Sequence, residues 1–461
     1  MKLNKGIIVL ALIFIISFPM QTYAASYTLQ TQQKQTSKID EMMDFILNNY
    51  AGSDVNQQTL IDGAIKGMFD TLDDYSEYYT EKEYDSFIKG VSGEYAGIGV
   101  SVQESENYIK ILEIFDNSPA EEVDLRVGDI IVGVDNQYIK DLTFTEGLDL
   151  IKGKPETTVD IIVNRNGNFI EKTVTRKVIK MSAVKDMPMD EKLIDAESDN
   201  IRYIKISGFN ANVAEDMKAA LQRAEQQKAK GLLIDLRDNP GGYLDQVVEI
   251  CKMLVPSGPI VHVVPKEGEV ETYYSFLEKS PFEIVILANE NSASASEIMI
   301  GAIKDSSAGV IVGEKTYGKG VVQKTFMFGG NNAFKMTTAE YLTRNETHID
   351  KIGIQPDIKV KVPNFITKNN VAWELDLKGE NVVQIENILL YLGYSIDKVD
   401  ELYNESTVKA IKKFQADNDL TINGITDINV QVKLNERLLE SLSKKDPQLQ
   451  KGLEKLKELI K

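Results

Sequence analysis

The sequence predicts a multi-domain α/β protein with a helical N-terminal region, a domain of short strands, an α/β core and a helical C-terminal module. Three observations lead to this prediction. Apolar residues recur at helical spacing near both ends of the chain, short alternating strands follow the first helices, and strand and helix patterns then alternate. The length of 461 residues suits about three domains.

The predicted boundaries follow these changes of pattern. They are residues 1–25 for a targeting segment, 26–92 for the N-terminal helical region, 93–178 for the strands, 179–365 for the core, 374–437 for the helical module and 438–461 for a C-terminal helix. We expect that last helix to be solvated or to contact a second subunit, because its leucines recur at helical spacing among many lysines and glutamates.

The composition excludes several classes of function. A formal net charge of −18 argues against a nucleic-acid partner, which a basic surface would bind. The one cysteine, Cys251, allows no intrachain disulfide and lies in an apolar pattern typical of a core position. His262 and His348 are the only histidines, which is poor support for a metal site or a serine–histidine pair. The sequence therefore predicts no metal and no cofactor.

The first 25 residues have the pattern of a secretory signal segment. Lys2 and Lys5 give a basic start, residues 6–18 are apolar, and residues 22–24 resemble a small-x-small cleavage site. The apolar run is short for a spanning helix, and both cleavage and retention as an anchor stay open. We expect the mature protein to work outside the cytoplasmic membrane.

Two short amphipathic patterns follow. In the first, apolar residues recur at three and four residues from Ile39 to Leu47, and in the second they do so from Leu60 to Met68. Helices this short need a surface to pack on. We therefore predict that this region packs on the main body or on a second copy of the chain, as a homodimer.

Three signatures mark the predicted strand domain. They are a glycine loop that opens an alternating strand, a helix start with proline, and a second apolar strand. In the chain these are Gly97, Ile98, Gly99 and Val100, then residues 118–120, and then residues 128–131. Their order resembles a PDZ domain of the protease-associated kind, which implies that residues 97–100 bind a C-terminal carboxylate and that a peptide joins the strand edge. A small β-domain without a ligand is the alternative.

The α/β core contains the candidate chemistry. An apolar strand pattern turns into a helix start rich in small serines, and a loop that encloses a lysine between glycines follows. These segments read Ser292-Ala293-Ser294-Ala295-Ser296-Glu297 and Gly318-Lys319-Gly320-Val321-Val322-Gln323. A serine hydroxyl needs a base within hydrogen-bond reach to act as a nucleophile, and with histidine scarce Lys319 is the candidate.

Lys319 would need a lowered pKa, because an ordinary lysine is almost fully protonated at pH 7. Burial that lowers the pKa by about 3 would make the amine a usable base, and Gln323 could orient it. The N–H after the serine and an N–H of Gly241 or Gly242 could stabilise an oxyanion. From the residues alone, helix capping by the serines and a surface lysine remain the alternative.

The order of these motifs, over about residues 41–362, resembles that of the C-terminal processing, or tail-specific, peptidases. The resemblance implies a crotonase-like α/β protease core that follows a PDZ domain. It also implies the roles of the site residues: Ser294 as nucleophile, Lys319 as general base, Gln323 as its assistant, and the N–H of Ala295 with that of Gly241 or Gly242 as oxyanion donors.

The helical module resembles a three-helix peptidoglycan-binding domain. The resemblance rests on three segments in order, Leu392-Gly393-Tyr394, Lys412-Lys413-Phe414-Gln415 and Asn423-Gly424-Ile425-Thr426. The chain departs from that pattern at residues 400–404, so a helical spacer that binds no glycan is the alternative. Peptidoglycan as a partner implies a place in a bacterial cell envelope.

These resemblances imply a serine endopeptidase that cleaves extracytoplasmic proteins through a Ser–Lys dyad and an acyl-enzyme. Its substrates would be proteins or peptides with apolar C-termini. The PDZ domain would either capture these C-termini or gate the activity of the protease when it binds them. Two alternatives stay open: a catalytically inactive scaffold of PDZ and wall-binding modules, and a crotonase-like acyl-CoA enzyme. The targeting segment disfavours the second, because CoA chemistry belongs inside the cell.

Overall fold

A computed structural model of the chain describes residues 29–92, 94–105, 107–115, 117–180, 182–188, 200–367 and 370–461. The predicted targeting segment, residues 1–25, lies outside the described residues. Among the helices that are described, none is both long and apolar enough to cross a membrane. The chain divides after Leu72 into two compact units.

The first unit contains two helices, α1 (Leu29–Asn49) and α2 (Gln57–Phe69). The side chain of Asn56 caps α2 by accepting a hydrogen bond from the N–H of Thr59. Large apolar side chains of these helices are exposed, among them Phe45. Both helices lie where the apolar spacing predicts them.

The predicted helical region, residues 26–92, divides between the two units. From Asp73 onward the chain belongs to the second unit, where a short strand, β1 (Glu77–Tyr79), precedes a helix, α3 (Glu81–Ser92). β1 pairs antiparallel with a strand far later in the chain, with Glu77 opposite Lys335. A three-residue strand with so distant a partner leaves no periodic signal in its own sequence.

Residues 94–180 form the predicted strand domain. Its elements are β2 (Glu94–Gly97), β3 (Val100–Ser105), β4 (Tyr108–Ile114), α4 (Pro119–Glu122), β5 (Ile130–Val134), β6 (Gln137–Tyr138), a 3₁₀ turn (Ile139–Asp141), α5 (Phe144–Ile151), β7 (Thr158–Arg165), β8 (Asn168–Thr175) and β9 (Lys177–Lys180). The antiparallel order is β3-β4-β5-β7-β8, with β6 beside β5 and β2 paired separately with β9. β3 therefore lies at one edge of the sheet.

Strands and helices then alternate, as the sequence predicts. The elements are β10 (Val184–Pro188), β11 (Ile201–Ile206), α6 (Val213–Gln226), β12 (Gly231–Asp235), α7 (Leu244–Leu254), β13 (Gly258–Pro265), β14 (Glu271–Ser275), β15 (Glu283–Ala288), α8 (Ala295–Asp305), β16 (Gly309–Gly313), β17 (Val321–Phe328), β18 (Asn332–Leu342) and β19 (Ile358–Lys359). One sheet has the order β10-β11-β12-β15-β16-β19 and is parallel from β11 onward. A second, antiparallel sheet has the order β1-β18-β13-β14, with β17 also paired with β18.

The parallel sheet brings the two predicted motifs to one edge. Its strands are nearly continuous apolar runs because helices pack on both faces, and α6, α7 and α8 cover one face with a large apolar cluster. β12 and β15 are neighbours in this sheet. The carboxyl end of β12 leads into the glycine loop (residues 238–242), and that of β15 leads into the turn with Ser294. Ligands of open parallel sheets bind at such carboxyl ends.

The C-terminal module contains α9 (Glu380–Tyr391), α10 (Glu405–Asp417) and α11 (Ile428–Lys444), and a further helix, α12 (Pro447–Leu459), follows. The first three helices enclose an apolar core that includes Phe414 and Leu434. The buried hydroxyl of Tyr403 donates to the carbonyl oxygen of Gly424 at 3.0 Å, which holds the predicted turn of this module. The three-helix arrangement is the one that the sequence predicts.

The helix α12 packs on the second face of the parallel sheet. Leu453 and Leu456 join an apolar cluster with residues of the central strands. Close approach is possible at Gly452, where a Cβ would lie 2.8 Å from Cδ2 of Leu287. The expectation of a solvated helix is therefore wrong, because helical spacing predicts an apolar face without indicating which surface it covers. α11 likewise continues to Lys444, beyond the predicted boundary at residue 437.

Candidate active site

Ser294 lies in the turn between β15 and α8. It is the N-cap residue of α8 and has φ 55° and ψ −116°, a backbone conformation that few residues other than glycine adopt. Such a turn presents the side chain at the start of the helix. The N–H of Ala295, the first helical residue, has no intrahelical acceptor and carries part of the positive charge of the helix N-terminus.

The two flanking serines have structural contacts. Ser292 and Ser296 are fully buried. The hydroxyl of Ser292 donates to the carbonyl oxygen of Leu236 at 2.8 Å, and that of Ser296 donates to the carbonyl oxygen of Asn239 at 2.9 Å. Ser294 is less buried and lines a pocket.

The glycine loop lies directly against this turn. A Cβ on Gly241 would lie 2.8 Å from the Cβ of Ser294 and 3.0 Å from the backbone nitrogen of Ala295. Gly241 also has φ 102°, so both the space and the backbone conformation require glycine. The close approach of the two segments thus depends on the absence of a side chain at this position.

The two glycines of the loop differ in their hydrogen bonds. The N–H of Gly241 donates to the side-chain oxygen of Asn239 at 2.9 Å. The N–H of Gly242 donates to no acceptor among the described residues, and Gly242 lines the same pocket as Ser294. Within the described part of the chain, Gly242 is therefore the loop glycine whose N–H is left for a ligand.

Glu297 joins the Ser294 turn to the lysine loop. Its carboxylate is fully buried and accepts four hydrogen bonds. One oxygen accepts from the Thr316 hydroxyl (2.6 Å) and the Gly318 N–H (2.7 Å). The other accepts from the N–H of Lys319 (2.8 Å) and the N–H of Ser294 (3.0 Å). Burial raises the pKa of Glu297, and these hydrogen bonds oppose the rise because they favour the charged form.

The Tyr341 hydroxyl lies between carbonyl oxygens of the same two residues. It is 3.0 Å from the carbonyl oxygen of Ser294 and 2.7 Å from that of Lys319. Burial raises the pKa of Tyr341 well above the ordinary tyrosine value, so the hydroxyl stays protonated as a donor. Ser294 and Lys319 are thus linked through both their N–H groups and their carbonyl groups.

The roles of Glu297 and Tyr341 are not among those that the sequence predicts. A glutamate three residues after a serine at a helix start is the pattern of a capping box, which is the signal that marks Glu297. The Ser294 N–H does donate to this carboxylate, but the same carboxylate also reaches the lysine loop. Tyr341 lies in β18 within an ordinary strand pattern, and nothing local in the sequence marks it.

The environment of Lys319 lowers the pKa of its amine. Burial lowers the pKa of Lys319 from the ordinary lysine value, and the positive charge of Lys335 lowers it further. Asp73 and Glu297 oppose the shift, because negative charge stabilises the ammonium. The direction of the net shift is the one that an amine base requires.

The Lys319 amine faces the ring of Tyr75, with Nζ 4.6 Å from the ring centroid. Tyr75 lies in the segment before β1, so this part of the chain contributes to the site. Among the hydrogen bonds between described residues, none joins Lys319 Nζ to the Ser294 hydroxyl. Such bonds often form only when substrate is bound.

Gln323 lies in β17, four residues after Lys319. Its amide nitrogen donates to the Thr337 hydroxyl at 3.1 Å. With Ser294 and Ala295 it lines a pocket of about 130 Å³ whose other walls are mainly apolar. The pocket has the size and character to receive an apolar side chain.

The histidines and the cysteine lie elsewhere. The ring nitrogens of His262, in β13, contact the Thr272 hydroxyl (2.9 Å) and the Arg344 carbonyl oxygen (3.3 Å). His348 is exposed, and Cys251 is buried in α7, where burial raises its pKa. Within the residues that the structure describes, no group of histidine, cysteine and acidic side chains is arranged to hold a metal ion.

The predicted carboxylate-binding loop joins β2 to β3. Gly97 ends β2, and Val100 begins β3. Ile98 is buried, and its carbonyl oxygen accepts from the N–H of Ala120 at 2.8 Å. Gly99 has φ 82°, which turns the chain into the edge strand. The loop thus lies beside the free edge of β3.

Comparison with known proteins identifies four matching domains. They are peptidase family S41 at residues 200–360, a PDZ domain at residues 96–176, a peptidoglycan binding domain at residues 378–434 and the N-terminal domain of the activating protease CtpB at residues 19–83. These matches define the class of protein, a multi-domain peptidase with a PDZ domain and a helical C-terminal module.

Individual relatives narrow this class. The carboxy-terminal processing protease CtpA of Bacillus subtilis is 33% identical over 439 residues, covering 92% of this chain and 92% of that protein. CtpB of the same organism is 31% identical over 454 residues, covering 95% and 92%. The solved photosystem II D1 C-terminal processing protease is 26% identical, with a TM-score of 0.40, and the match covers 72% of this chain and 88% of that chain. The chain belongs to the carboxy-terminal processing proteases of peptidase family S41, which confirms the resemblance seen in the sequence.

The contact between Lys319 and Tyr75 predicts how activity depends on pH. As the candidate base, the amine acts only when neutral, so activity should rise with pH as Lys319 loses its proton. Its lowered pKa places that rise below the ordinary lysine value. An aromatic face favours the ammonium, so Tyr75→Leu should move the rise in kcat/KM to lower pH by about 0.5 to 1 unit.

Tyr75→Phe is the matched control, because it keeps the aromatic face and should leave the midpoint unchanged. The measurement is kcat/KM on a fluorogenic peptide between about pH 6 and 10. A move of the Tyr75→Leu profile to higher pH would contradict the predicted effect of the ring.

Proposed function

We propose that the protein is a serine endopeptidase that uses Ser294 as nucleophile and Lys319 as general base. The observation that supports this most directly is the shared carboxylate of Glu297, which accepts hydrogen bonds from the N–H groups of both residues. Burial lowers the pKa of the lysine, and the serine lines a pocket. Membership in peptidase family S41 supports the same reaction class.

In the first step, the Lys319 amine accepts the proton of the Ser294 hydroxyl while Oγ attacks the carbonyl carbon of the scissile bond. The amine turns away from the Tyr75 ring to do so. The carbonyl oxygen becomes an oxyanion, which accepts hydrogen bonds from the N–H of Ala295 and of Gly242. Gly242 is preferred to its neighbour because the other glycine N–H already has an acceptor.

The second step releases the C-terminal product. Lys319 donates the proton that it took from Ser294 to the nitrogen of the leaving product as the peptide bond breaks. The N-terminal product is then left as an ester on Ser294. A water molecule then gives a proton to the Lys319 amine and attacks the ester carbon. Lys319 returns this proton to Ser294 Oγ as the N-terminal product leaves as a free acid. Gln323 orients the amine during these transfers when its own side chain leaves Thr337.

Substrates are proteins or peptides with apolar C-termini. The PDZ match and the edge position of β3 support capture of an extended tail by strand addition, beside the glycine loop at residues 97–100. The apolar pocket beside Ser294 supports an apolar side chain next to the cleaved bond. Binding at the PDZ domain can also gate activity, which addition of a separate C-terminal peptide tests.

The C-terminal module binds peptidoglycan and holds the protease in a bacterial cell envelope, outside the cytoplasmic membrane. The match at residues 378–434 and the three-helix core support this proposal. The purified protein should sediment with insoluble peptidoglycan and stay in solution without it. If the protein stays in the supernatant in both cases, the module is a helical spacer.

The protein forms a homodimer through its N-terminal helices. Exposed apolar side chains on these helices support the proposal, among them Met42 and Phe45, which are 58% and 63% exposed. Light scattering should give twice the mass of one chain, and the double variant Met42→Ser, Phe45→Ser should give a smaller mass. A monomeric mass for the wild type would contradict this arrangement.

The dyad itself is tested with an unfolded protein substrate that ends in apolar residues. Ser294→Ala and Lys319→Ala should each lower the rate of cleavage at least about a thousandfold, because the nucleophile and its base act as a unit. Lys324→Ala is the control, since this lysine is exposed in β17, the strand that follows Lys319, and should leave the rate unchanged. Cleavage is followed by gel electrophoresis and mass spectrometry.

Two results would count against this proposal. Equal cleavage by the wild type and Ser294→Ala would rule out the dyad. If the wild type cleaves nothing even after a C-terminal peptide is added, the protein is a catalytically inactive scaffold.

A further inference from the structure

Arg237 directly precedes the glycine loop, and its side chain forms the centre of a largely buried polar cluster. Its guanidinium binds the carboxylate of Asp235 through two contacts, Nε to Oδ1 at 2.9 Å and Nη2 to Oδ2 at 2.6 Å. Asp235 is fully buried and also accepts from the Tyr203 hydroxyl at 2.8 Å. The side chain of Arg237 is 16% exposed.

The remaining nitrogen of this guanidinium contacts the C-terminal helix. Arg237 Nη1 donates to Oδ2 of Asp446 at 2.7 Å and to Oε1 of Gln448 at 3.2 Å. Asp446 uses its other oxygen, Oδ1, to cap α12 by accepting from the N–H groups of Gln448 and Leu449, each at 3.0 Å. One aspartate therefore caps the last helix and binds the arginine next to the glycine loop.

The backbone on both sides of Arg237 is bound to the turn that contains the candidate nucleophile. The carbonyl oxygen of Leu236 accepts from the Ser292 hydroxyl at 2.8 Å. The N–H of Asp238 donates to the side-chain oxygen of Asn289 at 2.9 Å, and Asp238 has φ 61°. A displacement of Arg237 would therefore move both the glycine loop and its contacts with the Ser294 turn.

We infer that Asp446 is a positioning residue of the protease, which acts through Arg237 on the glycine loop whose N–H would bind the oxyanion. This inference rests on the proposed Ser–Lys peptidase. Gln448 supports the same contact, since its amide nitrogen also donates to the carbonyl oxygen of Val360 at 2.9 Å, next to β19. The helix α12 is thus a working part of the catalytic core, although the wall-binding module separates it from the core in sequence.

Loss of the Asp446 carboxylate removes the charged partner of Arg237 on the side of α12. The guanidinium is then held by Asp235 and by a neutral amide, and the start of the glycine loop is less firmly placed. An oxyanion donor works only within about 2.7 to 3.1 Å of the oxygen that it stabilises, so a small shift weakens it. Substrate contacts elsewhere are unchanged, and we therefore expect kcat to fall while KM stays the same.

The test uses the full chain with the variants Asp446→Asn and Asp446→Ser. Asparagine and serine both offer an oxygen that can cap α12, but neither supplies a carboxylate to Arg237. Each variant is assayed for kcat and KM and for inhibition by a peptide aldehyde and by the matching peptide alcohol.

The two inhibitors differ in whether they form an oxyanion. Ser294 Oγ adds to the aldehyde carbon, its proton passes to Lys319, and the aldehyde oxygen becomes the oxyanion. The alcohol has no carbonyl group and forms no adduct.

Both variants should lower kcat about tenfold and weaken aldehyde inhibition by the same factor, with KM and alcohol inhibition within about twofold of the wild type. Asp427→Asn is the control and should change none of these values. Asp427 caps α11 by accepting from the N–H of Val430 at 3.0 Å. Among the ion pairs of the described residues, none involves this aspartate.

Three results would overturn the inference. The first is an unchanged kcat and unchanged aldehyde inhibition in both variants beside an active wild type. The second is an equal weakening of aldehyde and alcohol together with a lower Tm, which would show a general structural role. The third, a wild type without activity, would overturn the proposed peptidase and this inference with it, whereas the first two leave the peptidase standing.

Discussion

The buried carboxylate of Glu297 is the contact on which the rest of the site depends. A charged group in the interior is costly unless donors surround it, and here four donors come from two separate segments of the chain. The Ser294 turn and the lysine loop must therefore both be in place before the charge is satisfied. Its position in the first turn of α8 adds the favourable field of the helix N-terminus.

The glycine loop is held beside this site by the order of strands in the parallel sheet. Because β12 and β15 are parallel neighbours, the segments that follow them leave the sheet at the same edge. Ser296 then binds the backbone of the loop at Asn239, and Ser292 binds the backbone just before the loop at Leu236. The repeated small serines thus divide into two structural residues and one that lines the pocket. Serine suits both uses, because its side chain is short and its hydroxyl can donate to a nearby carbonyl.

The last residues of the chain complete the core rather than extend from it. One face of the parallel sheet is covered by the helices between its strands, and the other is covered in part by α12. The helical module that precedes α12 is therefore attached to the core on both sides, through the segment after β19 and through α12. In the buried cluster, Arg237 binds both Asp235 and Asp446. This cluster joins the start of the last helix to the residue that precedes the glycine loop.

The amino-acid sequence by itself determined the elements and motifs that have local signatures. Apolar spacing, glycine loops and small-residue turns predicted the helices, the strand domain, the α/β core and the three-helix module, and the motif order indicated the family. The scarcity of histidine pointed to Lys319 as the candidate base. These features depend on neighbours within a few residues, so they can be found without knowing the fold.

Only the tertiary structure decided which distant residues meet. Tyr75 faces Lys319, and Tyr341 lies between two carbonyl oxygens of the site. Gly241 donates its N–H to Asn239, whereas the N–H of Gly242 has no acceptor among the described residues. It also placed α12 on the core sheet instead of in solvent. The physical reason is that hydrogen bonds and apolar contacts between segments far apart in the chain depend on the strand order and on the space between elements. The local periodicity of the sequence indicates neither the strand order nor the space between elements.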